Sequence, residues 1–270
     1  MDQMLSKYLF VTFPNDKQAY EGVRALRDLD DEGIISLYAY AVVQRSADGA
    51  PVVKDSQGEG PIGTAAGTLA GALFGIVAGP AGMALGAAIG SAVGAVRDLF
   101  ALGMSNEFIQ DVTKVLAPDA TALVAEISED WLTPLDSRMA ALGGNVLREW
   151  RDDYVDDEME RRINRARAEF TARRSELAAA RGENVDALKK ELARAEQNLR
   201  SALDKADTRL HHFNEETRAK VHALQEQAKK VAADKKQRIE ERIAAVKADQ
   251  ARRKDKLEQA RKLALEAVKP

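Results

Sequence analysis

Chemistry in this chain has few places to start. Asp152, Asp153, Asp156, Asp157 and Glu158 repeat a carboxylate at four-residue spacing twice over. On a helix that spacing puts each pair on one face, where oxygen ligands could hold a divalent cation. The same residues open a helical region, where acids complement the positive end of the helix dipole, and we take that simpler role as the expectation. His211, His212 and His222 are the chain's 3 histidines. They form no four-residue pair with one another and accompany no metalloprotease-type carboxylate, so they read as surface or interface residues. With no cysteine there is neither a disulfide nor a thiolate metal site. No Ser-His-Asp or Cys-His set stands out, and no Gly-x-x-x-x-Gly-Lys-Ser/Thr loop is present. The expectation is a protein without catalytic residues, cofactor or metal, and not an enzyme.

One stretch dominates the rest. Between Glu59 and Arg97 there is no charged residue. Within it glycine recurs at every fourth position, first at Gly63, Gly67, Gly71, Gly75 and Gly79, then, after Pro80-Ala81, at Gly82, Gly86, Gly90 and Gly94. Residues four apart share a helix face, so each ladder is a strip without side chains that another backbone can approach closely. Glycine costs about 1 kcal/mol relative to alanine in a helix interior. A regular ladder offsets that only through tight helix–helix contact, as small-xxx-small motifs do in membranes. Gly79-Pro80-Ala81-Gly82 reads as a tight turn, so residues 60–97 are predicted to form a glycine-zipper helical hairpin, with the ladder glycines as the oligomerisation surface. Its arms, Ile62 to Ala78 and Met83 to Val96, run 17 and 14 residues, short of the roughly 20 needed to span a bilayer. Lipid and a protein core both remain open as its surroundings.

The elements around the hairpin read as an α+β head. Lys7 to Phe13 is rich in β-branched and aromatic residues and reads as a buried strand. Pro14-Asn15-Asp16 starts a helix whose Ala19, Val23, Leu26 and Leu29 keep helical spacing until Asp30-Asp31-Glu32-Gly33. Ile34 to Gln44 is a second strand, Ala47-Asp48-Gly49 a hairpin turn and Val52 to Lys54 a third strand. After the hairpin come a helix capped by Ser105 and carrying Phe108, Ile109, Val112, Val115 and Leu116, and a fourth strand, Thr121 to Ile127. With the hairpin set aside the order is β-α-β-β-α-β, that of a ferredoxin-like sandwich. A further helix bears Leu132, Leu135, Met139 and Leu142, and Asn145 to Trp150 reads as an added edge strand. Trp131 and Trp150 are assigned to core or domain-junction packing, with interfacial anchoring as the alternative.

From residue 151 to 270 the composition becomes that of long helices, giving a division into a head, 1–150, and a coiled-coil-like tail, 151–270. Arg181-Gly182-Glu183-Asn184 offers one break, near 181–184, with glycine as a C-terminal cap and asparagine as a new N-cap; one uninterrupted helix is the other possibility. Leu188, Leu199, Leu210, Val221, Ala232 and Ile243 recur every 11 residues, with Leu192 and Leu203 alongside. That period winds a narrow apolar stripe almost straight along a helix, and the stripe calls for a partner helix.

Charge divides with the composition. Residues 1–150 hold 10 Lys+Arg and 19 Asp+Glu, and residues 151–270 hold 30 and 24, for a net −9 and +6 that sum to −3. The basic tail reads first as a solvated helix with ion pairs at four-residue spacing; as a binding surface it suits anionic membrane headgroups better than nucleic acid, because aromatic residues for base stacking are nearly absent from it. The opening Met1-Asp2-Gln3 does not read as a secretory signal. A cytoplasmic placement follows, with the inner membrane as the alternative site.

Lys7-Tyr8-Leu9-Phe10-Val11-Thr12-Phe13, the helix from Ala19 to Leu29 and the zipper from Gly63 to Gly94 together resemble an uncharacterised bacterial family. Its members are described as predicted membrane proteins with a glycine-rich hairpin, similar to general-stress (heat-induced) proteins. The likeness covers roughly residues 1–150 and implies no catalytic residue; it implies cytoplasmic or inner-membrane placement and a stress role. The expectation is a self-assembling structural protein, a homo-oligomer, associated with the membrane through the zipper. The alternatives are a soluble particle or scaffold with the hairpins buried between subunits and, more weakly, a small-ligand sensor.

Overall fold

A computed structural model describes residues 6–45, 51–58, 105–115, 120–150, 154–181 and 185–269. The glycine ladder and the turn at residues 47–49 lie outside them. Five strands form one antiparallel sheet: β1 (Lys7–Phe13), β2 (Ile35–Arg45), β3 (Pro51–Gln57), β4 (Thr121–Glu129) and β5 (Asn145–Trp150). Among the described helices are α1 (Asp16–Asp31), α2 (Asn106–Val115), α3 (Thr133–Ala141), α4 (Tyr154–Ala179), α5 (Val185–Lys230) and α6 (Ala233–Val268). The protein is α+β with a long helical C-terminal region. Its compact units do not follow a division at residue 150: one comprises Met1–Asp152 with Glu215–Lys247, the other Asp153–Asn214 with Ala248–Pro270.

In the first unit the strand order is β3-β2-β4-β1-β5. Side chains alternate across the sheet, and both faces are buried at its centre. Leu9, Val11 and Phe13 of β1 meet Leu123, Ala125 and Ile127 of β4 in a core completed by Val23, Leu26 and Leu29 of α1 and by Leu135 and Met139 of α3. The Asn15 side chain caps α1 by accepting from the Gln18 backbone N–H at 3.1 Å. Gly33 ends that helix at φ +69°, a left-handed conformation that suits glycine.

A bulge sets the second face. The β2–β4 register shifts between Leu37 and Ala39, so one extra residue reverses the alternation. Before it Ile35 faces the first core; after it Tyr40 and Val42 do. Tyr38 and Ala39 both turn to the other face, where they pack with Leu224, Val231 and Ile239 of the 215–247 segment.

In the second unit α4 and the unit's portions of α5 and α6 share a core. Ile163 and Phe170 pack there with Ala195, Leu199, Leu203, Ala206 and Phe213, and with Leu257, Ala260 and Ala264. Leu192 and Leu210 line its margin, and Leu188 is half-buried. In the first unit Val221 is half-buried and Ile243 packs against the second-face cluster. The stripe thus finds partner helices within its own chain. The helical region is not one rod. It leaves the helix at Ala180 and Arg181, and residues 182–184 of the break read near 181–184 lie outside the described residues; a further interruption falls at Val231-Ala232, where the 11-residue stripe implies continuity.

Candidate functional site

The second face of the sheet is polar where an exposed face would have been, yet it is buried. Ser36, Glu126 and Ser128 are each at most 2% exposed. Three side chains of the 215–247 segment meet them. Lys220 Nζ lies 2.6 Å from Glu126 and donates to Ser6 Oγ at 2.8 Å. Gln227 accepts from Ser36 Oγ at 2.6 Å and donates to the carbonyls of Asp30 and Ile35 at 2.7 and 2.6 Å. Arg242, fully buried, donates to Ser36 Oγ at 2.7 Å, to the Ile34 carbonyl at 3.1 Å and to Asp130 at 2.9 Å. Helical spacing explains the set: Gln227 sits three residues after Leu224, and Arg242 three after Ile239, on the helix face turned to the sheet.

Beside this seam lies a cavity of about 310 Å³ lined by Arg27, Asp30, Tyr38, Tyr40, Gln57 and Lys230, among others. Arg27 donates to the Tyr40 hydroxyl at 2.5 Å and to Gln57 at 2.9 Å, and Tyr40 donates to Asp55 at 3.0 Å. Asp30 accepts from the Leu37 backbone N–H at 2.8 Å. Burial pushes the Asp30 carboxyl up from 3.8 to about 6, against the pull of that bond and of Lys230. Burial also pushes Tyr38 up to about 12. Tyr40 is raised by burial and then by its bond to Asp55. Asp30 is therefore a carboxyl that exchanges its proton close to neutral pH, whereas both tyrosines keep theirs.

The residues singled out for metal chemistry are occupied otherwise. Asp156, 5% exposed, lies 2.9 Å from Arg209 and 2.6 Å from Arg253, whose guanidiniums each sit 4.7 Å from the Phe213 ring. Asp157 pairs with Lys256 at 3.2 Å. Hydrogen bonds from Arg162 and Arg161 hold the Glu158 carboxyl below its usual range. Asp152 and Asp153 lie outside the described residues. His211 and His212 are exposed, with ring centroids 6.4 Å apart, and His222 is exposed 3.8 Å from Glu226. Among the described residues no group of three His, Asp or Glu could hold a metal ion, and no helix is long and apolar enough to cross a membrane. The tail's basic excess is partly turned inward, since Lys220, Arg242 and Arg253 are all buried.

The two tryptophans correct the expectation of core packing: Trp131 is 52% and Trp150 46% exposed. Sequence reasoning missed Lys220, Gln227 and Arg242. No stripe position held them: Lys220 and Arg242 each stand one residue before a stripe residue, Val221 and Ile243, and Gln227 falls between Val221 and Ala232.

Against this geometry, a model of a protein family of unknown function, DUF1269, matches residues 64–168. The match begins inside the glycine ladder and runs through α2, β4, α3 and β5 into α4. No curated protein and no solved structure matches the chain.

Proposed function

We propose that this chain is a non-enzymatic, self-assembling structural protein that associates with a membrane through residues 60–97, copies packing glycine ladder against glycine ladder. The observation that carries this reading is the ladder itself: nine glycines at fourfold spacing, from Gly63 to Gly94, with no charge between Glu59 and Arg97. The fold supports it at both ends of the stretch. β3 precedes it on one edge of the sheet. Ser105, the first described residue after it, stands near the opposite edge, where its backbone N–H donates to Glu149 of β5 at 3.0 Å. Four strand spacings of about 4.8 Å separate those edges, roughly 19 Å, a gap two adjacent helices and short linkers can bridge. The ferredoxin-like reading of the head draws on the strand order: β1-α1-β2 and β4-α3-β5 interleave as β5-β1-β4-β2, with β3 as an added edge. On this reading α3, and not the helix after the ladder, is the second crossover helix. A stress role rests on the family likeness.

A second reading is a soluble homo-oligomeric particle with the stretch buried between subunits. It draws on arms of 17 and 14 residues, short against roughly 20. Fractionation separates the two. Recovery of the chain only with detergent supports the membrane reading, and high-mass particles in detergent-free extract overturn it. In either case Gly71→Leu with Gly86→Leu should abolish assembly, and an unchanged oligomer mass refutes the zipper.

A further inference from the structure

The register of the sheet places Gly58 and Ser105, the described residues that flank the charge-free stretch, toward one end of the head, and the chain's two tryptophans are there as well. One row across the sheet reads Gln57, Tyr40, Ala125, Leu9 and Arg148. β3 runs toward the Glu129 end of β4, so Gly58 leaves the sheet in that direction. Ser105 is bonded to Glu149, one row further along the same way. Trp150 stands in the next row, opposite Lys7, which lies opposite Ile127. Trp131 and Leu132 follow β4 directly. Trp131, Leu132 and Trp150 are 52%, 49% and 46% exposed. Tyr20, Val52 and Val53 are exposed elsewhere in the unit; toward this end the exposed large apolar side chains among the described residues are the two indoles and Leu132, and together they offer an interaction surface.

Polar groups frame the patch without giving it a net sign. Lys7 Nζ stands 4.3 Å from the Trp150 ring and Arg238 Cζ 4.5 Å from the Trp131 ring. Lys7 is also 3.3 Å from Glu129, and Arg238 3.4 Å from Asp130. Each indole thus has an apolar body beside a cation that is already paired. That chemistry matches the headgroup layer of a bilayer, where indoles are enriched because they are apolar with one polar N–H. It calls for no anionic lipid, because the cations have carboxylates of their own.

We propose that the sheet end bearing Trp131, Leu132 and Trp150 seats in the headgroup layer of a zwitterionic bilayer, the same bilayer the charge-free stretch associates with. The proposal rests on the membrane reading and adds the face of the head that meets lipid. The test uses the full chain with phosphatidylcholine vesicles, the two indoles serving as probes. Flotation reports association, and quenching of tryptophan fluorescence by brominated phosphatidylcholine reports contact. Trp131→Phe and Trp150→Phe, each leaving one indole, assign the signal. The expected result is co-flotation with a blue shift and quenching of both indoles. A combined Trp131→Ser and Trp150→Ser variant that keeps its helical circular dichroism should lose about tenfold in partitioning, the direction set by the apolar area withdrawn. Co-flotation with unquenched indoles overturns this proposal and leaves the membrane reading standing. Association only with vesicles containing phosphatidylglycerol overturns the zwitterionic surface. No flotation with either lipid overturns the membrane reading and this proposal together.

Discussion

Replacing Arg242 with methionine tests whether the 215–247 segment is held to the sheet by its polar seam. Methionine keeps an unbranched apolar stem out to the place of Nε and removes the rest of the guanidinium, with its charge and donors. Three bonds disappear, to Ser36 Oγ, the Ile34 carbonyl and Asp130. Ser36 keeps Gln227 as a partner and Asp130 keeps Arg238 at 3.4 Å, so the loss is not total. Removing one member of a buried ion pair costs about 3–5 kcal/mol, and the surviving partners place Arg242→Met toward the lower end, about 3 kcal/mol. Two compact units make a single global unfolding energy ill-defined, so the assay is hydrogen exchange read locally. In the regime where reclosing outruns exchange, about 3 kcal/mol is roughly a 150-fold loss of protection, expected in peptides covering residues 215–247 and β2. Asp130→Asn in the same background should add less than it does alone, because the two sites share one interaction. A protection loss under about tenfold, with the two substitutions additive, refutes the idea that this seam fastens the segment.

Asp30→Asn should stabilise the first unit as pH rises. The folded carboxyl holds its proton to about 6, against an ordinary 3.8, so burial favours the neutral form and wild-type stability falls as pH climbs through that window. Asparagine keeps an acceptor for the Leu37 N–H, and the gain should reach about 2–3 kcal/mol above pH 6 and vanish below about pH 4; a gain independent of pH in denaturation curves contradicts the assignment. Gly33→Ala should cost about 1–2 kcal/mol, because φ is +69° and the new Cβ would stand 3.2 Å from Val231 Cγ1; an unchanged melting temperature counts against that reading. Leu199→Ala, at a fully buried position of the second unit, should cost about 2–5 kcal/mol and leave the mass of the folded protein in solution unchanged. A lower mass without a loss of stability would return the stripe to contact between copies.

The strands were legible because their composition is unambiguous. Lys7 to Phe13 and Asn145 to Trp150 were read with the observed bounds, and β2 within a residue at each end. β3 and β4 run further than expected, since Ser56 and Glu129 carry no strand signal of their own and are held by pairing. The bulge at Leu37 to Ala39 was not legible, because Tyr38 and Ala39 are ordinary strand residues whose facing is decided by β4 and by the helix above. The break at Val231-Ala232 contains neither glycine nor proline. Val231 lies against Gly33 there, a tertiary cause that periodicity does not reveal. Core or domain-junction packing is the sequence expectation for Trp131 and Trp150; register puts Trp150 opposite Lys7, and the 215–247 segment brings Arg238 to Trp131, neither of which local sequence reveals.

Burying the second face changes what the tail has left to offer. Ser36, Tyr38, Glu126 and Ser128 alternate along their strands as solvent-facing residues do, apart from the bulge, and an uncovered sheet of this kind would need nothing more. Here Lys220, Gln227 and Arg242 satisfy them, and Leu224, Val231 and Ile239 supply the apolar remainder. In the second unit Leu199 and Leu203 are buried against Ile163, Phe170 and Leu257. A helix whose narrow stripe is covered within its own chain has little apolar surface left to pair with a second copy. On the proposed reading, assembly then rests on residues 60–97, whose ladder glycines carry no side chains. On this argument the tail's long helices act first on their own chain, one stretch closing the sheet and another building a separate core, and association between copies is asked of the ladder.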